Sequence, residues 1–98
     1  MVEVRWTPQA AQDLNSIAAF ISKDSVQYAR LFVIDLFQAV ERIAEFPQSG
    51  RSVPELGNPT VREIILGSYR LVYRIKQQRA DLLTIYHAAR LLDPDQLK

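Results

Sequence analysis

The segment VREIILGSYRLVYRI, residues 61–75, constrains the fold of this chain more than any other part of it. Two runs of alternating, β-prone residues flank Gly67-Ser68, a pair that suits a two-residue type II′ turn, and so predict a tight β-hairpin. In such a hairpin Leu66 faces Tyr69, and this first pair fixes the register of all the others.

The register gives the hairpin two unlike faces. On one face Ile64 lies opposite Leu71, whereas on the other face Glu63 lies opposite a valine and next to two arginines. The face with Ile64 and Leu71 is the more apolar, so we expect a layer of helices to cover it. Arg70 and Arg74 are expected on the opposite, more open face.

Two helices are predicted before the hairpin. Thr7-Pro8 supplies an N-cap and a proline at the first helical position, and the apolar stripe that follows ends near Ser22-Lys23. A second helix, which Asp24 or Ser25 caps, has apolar residues at alternating spacings of four and three. They are Ala29, Val33, Leu36, Val40 and Ile43. The short link between the two stripes predicts an antiparallel helical hairpin.

The remaining segments complete an α+β prediction. VEVRW at residues 2–6 and DLLTIYHAA at residues 81–89 are typical of strands, and residues 47–59, with three prolines and two glycines, are typical of a long surface loop. We therefore expect one domain over residues 1–98, in which a short N-terminal strand and a helical hairpin pack on a mainly antiparallel sheet of about four strands.

The composition excludes several classes of function. With no cysteine and a single histidine, the chain lacks the ligands of a disulfide scaffold or of a common zinc site, so no metal is expected. It contains no phosphate loop, dinucleotide fingerprint or nucleophile elbow, so no cofactor is expected either. The absence of a long apolar run and of a signal-peptide pattern predicts a cytoplasmic protein that does not contact the membrane.

Charge is distributed unevenly along the chain. Residues 1–49 carry four basic and six acidic side chains, whereas residues 50–98 carry eight basic and five acidic ones. The basic excess of the second half suits either an acidic protein partner or nucleic acid, and it does not distinguish between them.

The only histidine lies in TIYHAARLL, residues 84–92, three residues before Arg90. His87 is a potential general acid or base, and Arg90 is a potential phosphate ligand. On a strand, however, residues 87 and 90 project from opposite faces because side chains alternate. A lone histidine at a strand end is more typical of a hydrogen-bonded structural residue.

Arg70 and Arg74 allow two interpretations. They lie four residues apart on one strand face, where a row of guanidinium groups can clamp a phosphate backbone. Alternatively, Glu63 lies diagonally between them on the neighbouring strand and forms a cross-strand ion pair. The sequence leaves both interpretations open.

Other polar residues of the loop and sheet are weaker candidates. Glu55 is a potential general base if its loop folds over the sheet, although a loop glutamate is more often exposed to solvent. Tyr73 and Tyr86 can stack on nucleic-acid bases if they are exposed near the arginines, and otherwise they belong to the core or its rim. The other basic residues of the sheet are expected as solvated charges at edges or turns: Arg62, Lys76 and Arg79.

Four segments, taken in order, resemble the RelE/ParE superfamily of bacterial toxins from type II toxin–antitoxin pairs. They are VRWTPQAAQDL, FPQSGRSVPEL, VREIILGSYRLVYRI and LLTIYHAARLL, which together span nearly the whole chain. The resemblance implies the fold of that superfamily and a cognate antitoxin whose C-terminal segment wraps the toxin. It also implies an assembly of two toxins and two antitoxins, in which operator DNA is bound only through the antitoxin.

The superfamily contains two activities. RelE-like members cut mRNA on the ribosome, whereas ParE-like members poison DNA gyrase. Glu55 and Arg70 match a loop glutamate and a strand arginine of the nucleases. Arg90 and Leu91, however, stand where the nucleases carry a His-Tyr or Arg-Tyr pair, so the terminal aromatic residue is missing. The IYHAAR ending instead resembles the ParE branch.

The resemblance therefore predicts a toxin that inhibits DNA gyrase by binding rather than by catalysis. The candidates for contact with the target are Arg70, Arg74, His87 and Arg90. One alternative is a ribosome-dependent mRNA endonuclease that uses Glu55, Arg70 and Arg90. Another is an inactive toxin that is retained as an antitoxin-binding co-repressor.

Overall fold

Two capped helices form the first layer of the fold. In a computed structural model of the protein, which describes residues 1–88, α1 spans Pro8–Asp24 and α2 spans Val26–Glu45. The side chains of Thr7 and Ser25 each accept a hydrogen bond from a backbone N–H in the first turn of the helix that follows. Such caps satisfy donors that have no partner within the helix. Neither helix, nor any other helix among residues 1–88, is long and apolar enough to cross a membrane.

Five strands form a single sheet against the helices. They are β1 Glu3–Trp6, β2 Arg51–Ser52, β3 Val61–Leu66, β4 Tyr69–Lys76 and β5 Arg79–His87. Their spatial order is β1-β5-β4-β3-β2, with β1 parallel to β5 and the other neighbours antiparallel. The α+β prediction is confirmed. The sheet has one strand more than the four or so expected, because two residues of the long loop pair with β3.

The predicted hairpin register is also confirmed. Leu66 pairs with Tyr69 and Ile64 pairs with Leu71. Gly67 has a φ of 59°, the left-handed value that glycine adopts without steric cost at the first central position of a type II′ turn.

The main core lies between the helices and the face of the sheet that carries Ile64 and Leu71, as expected. Its fully buried members include Leu36 and Ile43 of α2 together with Leu71, Tyr73 and Leu82 of the sheet. Each such side chain contributes about 1.5–3 kcal/mol through burial.

The opposite face of the sheet is less open than predicted. A second apolar cluster forms there around Val53, Val61 and Val72, and Val53 belongs to the long loop. This loop covers the centre of the face, so Arg70 is buried, with only 6% of its surface exposed. The expectation of an open face with an accessible Arg70 was wrong because a proline-rich loop can fold back over a sheet without leaving a local sequence signal.

Candidate functional site

The loop of residues 47–60, called the 47–60 loop below, is fixed to the sheet by Tyr73. The Tyr73 hydroxyl donates a hydrogen bond to Pro47 O at 2.7 Å and accepts one from Gly50 N at 2.9 Å. Burial raises the pKa of this phenol, and the hydrogen bond from Gly50 N offsets the effect only in part. Because Tyr73 is fully buried, it serves as an anchor for the loop and is not exposed for stacking on bases.

The close approach of the loop to the sheet requires glycine at position 50. A Cβ atom there would lie 2.6 Å from the Tyr73 hydroxyl and 2.8 Å from the backbone oxygen of Glu63. Arg62 adds a further tie, since its Nη1 donates to Gly50 O at 2.9 Å. Arg62 was expected as a solvated edge charge, and that expectation was wrong because the loop supplies a carbonyl group beside it.

Glu63 lies at the centre of a buried ion-pair cluster on the other face of the sheet. Its side chain has no exposed surface, and its two oxygens face two different arginines. Arg51 Nε lies 2.5 Å from Glu63 Oε2, and Arg70 Nε lies 3.4 Å from Glu63 Oε1. A buried carboxylate is tolerated only with such partners, because an unpaired buried charge is strongly destabilising. Of the two interpretations of Arg70, the structure thus supports the cross-strand ion pair.

Glu55 covers Arg70 from the solvent side. Nη1 and Nη2 of Arg70 donate hydrogen bonds to the same oxygen, Glu55 Oε2, at 2.7 and 2.8 Å. The exposed fractions of these two side chains are only 7% for Arg70 and 14% for Glu55. The expectation that Glu55 lies in solvent was therefore wrong, because the loop carries it onto the sheet.

Tyr86 of β5 forms one wall of the same site. The guanidinium carbon of Arg70 lies 5.6 Å from the centre of the Tyr86 ring, a distance at which a cation and an aromatic face attract each other. Burial raises the pKa of the Tyr86 phenol despite the nearby positive charge of Arg70. The name Arg70 cluster is used below for five residues: Arg51, Glu55, Glu63, Arg70 and Tyr86. Its two carboxylates and two guanidinium groups balance in charge.

His87 does not belong to the Arg70 cluster. It is exposed at the end of β5, where it pairs with Tyr69 of β4. The two rings meet edge to face, with centroids 5.7 Å apart, and Tyr69 also contacts Phe32 of α2. His87 therefore lies on the helix-covered face of the sheet, opposite to Arg70. Arg90 and Leu91 lie outside the described residues.

Further charged residues lie on the same face of the sheet as Arg70, near the turn between β4 and β5. Arg74 is half-buried on β4, opposite Asp81 in the register. Asp81 is in ion-pair contact with Arg79 at 2.9 Å and with Lys76 at 3.6 Å. Arg74 thus shares a face with Arg70 and lies at the end of the sheet that carries Asp81. Lys76 and Arg79 are engaged with Asp81 at this end.

Chemically, the Arg70 cluster can fix a loop or bind an anion. Among residues 1–88 no group of three or more acidic, histidine or cysteine side chains is arranged to hold a metal ion. The sequence predicted, as one of two interpretations, an ion pair of Glu63 with the arginines of β4, but it did not reveal that Arg51 and Glu55 of the loop complete the cluster. Glu63 is recognisable in the sequence as a carboxylate opposite Val72, whereas no local pattern marks Arg51 or Glu55 as members of the cluster.

Comparisons with known proteins converge on one group of toxins. A protein-family model described as the ParE toxin of the type II toxin–antitoxin system parDE matches residues 4–92. Y4kP of Sinorhizobium fredii, a protein named as a toxin, is 38% identical over 87 residues, which are 87% of this chain and 86% of the relative. Toxin RelE2 of Caulobacter vibrioides is 33% identical over 92 residues, covering 93% of this chain and all of the relative.

A solved structure has the same fold. It is described as the chromosomal ParDE toxin–antitoxin system from P. aeruginosa, and its matching chain superposes with a TM-score of 0.71 at 24% identity. The match covers 89% of this chain and 96% of the other one. At this level of identity the likeness concerns the fold.

Proposed function

This chain belongs to the ParE family of toxins from type II toxin–antitoxin systems, and from that premise we propose that it inhibits DNA gyrase and is neutralised by a cognate antitoxin. The family model matches residues 4–92, which are nearly the whole chain, and this match supports the role of a toxin. In this proposal the protein acts in the cytoplasm, by binding its target and not by chemical catalysis.

The observation that favours binding over catalysis is the pairing of Glu55 with Arg70. A general base must lie within hydrogen-bond reach of the substrate proton, directly or through one water. Glu55 Oε2 already accepts two hydrogen bonds from Arg70, and both side chains are largely buried. The two residues that match the nuclease pattern therefore bind each other in the free toxin.

The residues proposed to contact the target remain those inferred from the sequence. Arg74 is half-buried on the face of the sheet that carries Arg70, and His87 is exposed at the end of β5. Arg90 follows three residues later in the chain. Arg70 joins this group only when Glu55 leaves it, since Glu55 and Glu63 both contact its guanidinium group in this structure.

The antitoxin is proposed to cover the exposed apolar side of the helical hairpin. Tyr28, Phe20 and Val26 are 69%, 63% and 62% exposed, and exposed apolar groups of this size mark an interaction surface when they lie together. A groove of about 470 Å³ runs between the two helices and has small side chains in its floor. Those lining residues are Ala18, Ala19, Ser22, Val26, Ala29, Arg30, Val33 and Ile34. Small residues allow the backbone of a partner helix or strand to approach closely.

Induction of the toxin alone in growing cells tests the proposal. We expect growth arrest with a DNA-damage response while protein synthesis initially continues, and we expect co-expression of the antitoxin to prevent both. Immediate arrest of translation with intact DNA would contradict the gyrase proposal. Normal growth would contradict it as well and would favour an inactive toxin that acts as a co-repressor.

A ribosome-dependent mRNA endonuclease is the second candidate. It is favoured by the position of Glu55 and Arg70 at one site, as in the nuclease pattern, but it requires their mutual hydrogen bonds to break when mRNA binds. Mapping of mRNA 5′ ends after induction separates the two candidates. New ends that depend on Glu55, and disappear in E55Q but not in the surface control E41Q, would support the nuclease.

A further inference from the structure

We propose that residues 54–59 form a flap that opens, and that the uncovered site binds an acidic side chain followed by an aliphatic one from a partner protein. In the closed state Glu55 and Leu56 of the flap occupy this site themselves. The flap thus acts as an internal competitor of the partner.

The acidic half of the site is provided by Arg70. This residue lies on β4, the central strand of the sheet. Glu63 of the neighbouring strand β3 contacts its Nε atom. Nη1 and Nη2 face the flap and donate to Glu55 Oε2. Two parallel N–H groups of a guanidinium are a general receptor for carboxylates. Without Glu55, the cluster keeps two guanidinium groups and one carboxylate, Glu63, so the residues that the structure describes there carry one net positive charge.

The aliphatic half of the site is the second apolar cluster. Leu56 is half-buried and packs against the group formed by Val53, Val61 and Val72. Leu83 and Tyr86 border the same group and are themselves only partly buried. An opened flap therefore leaves an apolar surface directly beside the guanidinium of Arg70.

The flap can move while Val53, the residue before it, stays fixed against the sheet. Val53 is completely buried and stays attached to the sheet, whereas Pro54, Gly57 and the two residues that follow it are exposed. Residues 53–57 form a short turn, in which Leu56 N and Gly57 N donate hydrogen bonds to Val53 O at 3.2 and 3.4 Å. Gly57 has a φ of 61° and open space around the position of a Cβ atom. Apart from Glu55 and Leu56, the residues of the flap bury little surface, and such segments open at a lower free-energy cost than the core does.

The chemistry of the present occupant favours a peptide over nucleic acid. Glu55 supplies a carboxylate and Leu56 supplies an aliphatic group, and a competing partner must replace both contacts. A phosphate can satisfy Arg70, but a nucleic-acid backbone offers nothing that resembles the leucine side chain. The inference does not depend on gyrase as the target, because its test uses the isolated toxin.

The first arm of the test asks whether Glu55 holds the flap closed. E55Q keeps the shape of the side chain and removes its charge, and E41Q, at an exposed site on α2, is the matched control. Hydrogen–deuterium exchange should rise about tenfold or more in peptides covering residues 54–60 of E55Q, the effect of weakening one charge-assisted contact. The control should exchange like the wild type. Unchanged exchange of the flap in E55Q would overturn the proposal.

The second arm asks what binds beneath the flap. The probes are the blocked peptide VPELGNP, which is the flap sequence itself, and its counterpart VPQLGNP. In NMR titrations, which detect millimolar affinities, the Glu peptide should shift the Arg70 Nε–H signal. It should also bind E55Q about tenfold more tightly than the wild type, since its competitor is weakened. The Gln peptide should bind each chain more weakly than the Glu peptide does, because it lacks the charge that Arg70 binds.

Two outcomes would overturn the assignment of the ligand. One is equal affinity of the Glu peptide for wild type and E55Q, which would show that the flap does not compete with it. The other is saturation of the Arg70 signal by a single-stranded RNA oligonucleotide while the Glu peptide stays silent, which would assign the site to a phosphate. Both probes leave the fold of the protein unchanged, so neither result can be attributed to unfolding.

Discussion

Replacement of Gly50 by alanine should destabilise the protein strongly, although it adds only one methyl group. The new Cβ atom would meet the Tyr73 hydroxyl at 2.6 Å, the Tyr73 ring at 2.9 Å and the backbone oxygen of Glu63 at 2.8 Å. No real Cβ atom tolerates such contacts, so the loop must move away from the sheet. This movement breaks the hydrogen bond between Gly50 N and the Tyr73 hydroxyl.

The expected magnitude follows from two terms. Overpacking of a filled site costs about 1–3 kcal/mol, and a buried hydrogen bond left without its partner costs about 1–3 kcal/mol more. G50A should therefore lower the free energy of unfolding by about 2–6 kcal/mol, out of a total of about 5–15 kcal/mol for a domain of this kind. At about 4–8 °C per kcal/mol, the melting temperature should fall by about 10 °C or more.

A double-mutant cycle with Y73F identifies the cause. Y73F alone should cost about 1–3 kcal/mol, because Pro47 O and Gly50 N lose their shared partner. The two changes remove the same hydrogen bond, and Y73F also removes the atom nearest to the new methyl group. Their costs should therefore fall short of additivity by about 1 kcal/mol or more.

Urea unfolding followed by circular dichroism measures all three variants. Y28F, at an exposed tyrosine of α2, should stay within about 0.5 kcal/mol of the wild type. A cost of G50A below about 0.5 kcal/mol, or strict additivity with Y73F, would refute the steric account.

Three further outcomes are expected from the same unfolding experiments. T7A removes a side chain that accepts from the first turn of α1 and donates to Leu82 O at 2.7 Å, and it should cost about 1–2 kcal/mol. L36A opens a cavity at a fully buried position of α2 and should cost about 2–5 kcal/mol. Because burial raises the pKa of Tyr73, the unfolded phenol ionises first. Stability should therefore be insensitive to this group below about pH 10 and fall as the pH rises above it, less so in Y73F. An equal fall in Y73F and wild type would contradict the pKa argument.

The local rules of sequence predicted most of the fold correctly. Gly67-Ser68 fixed the register of the hairpin, and the alternation within it identified the face that the helices cover. The pair Thr7-Pro8 correctly predicted where α1 begins. These features depend on neighbours in the chain, so the sequence alone reveals them.

The arrangement of the candidate site could not be predicted in the same way. The contact of Glu55 with Arg70 joins residues 15 positions apart, and it exists only because Gly50 lets the loop turn tightly around Tyr73. Nothing in the composition of PQSGRSVPELGNP distinguishes a loop in solvent from one that covers a sheet. The separation of His87 from Arg70 follows from the predicted pairing of the strands, but only after the last strand is placed beside β4.

A supercoiling assay with purified DNA gyrase and purified toxin tests the central claim most directly. We expect the toxin to inhibit supercoiling or to trap cleaved DNA complexes, and we expect the cognate antitoxin to restore normal activity. Unaffected gyrase at saturating toxin, together with mRNA cleavage on purified ribosomes, would contradict the account and assign the chain to the nuclease branch.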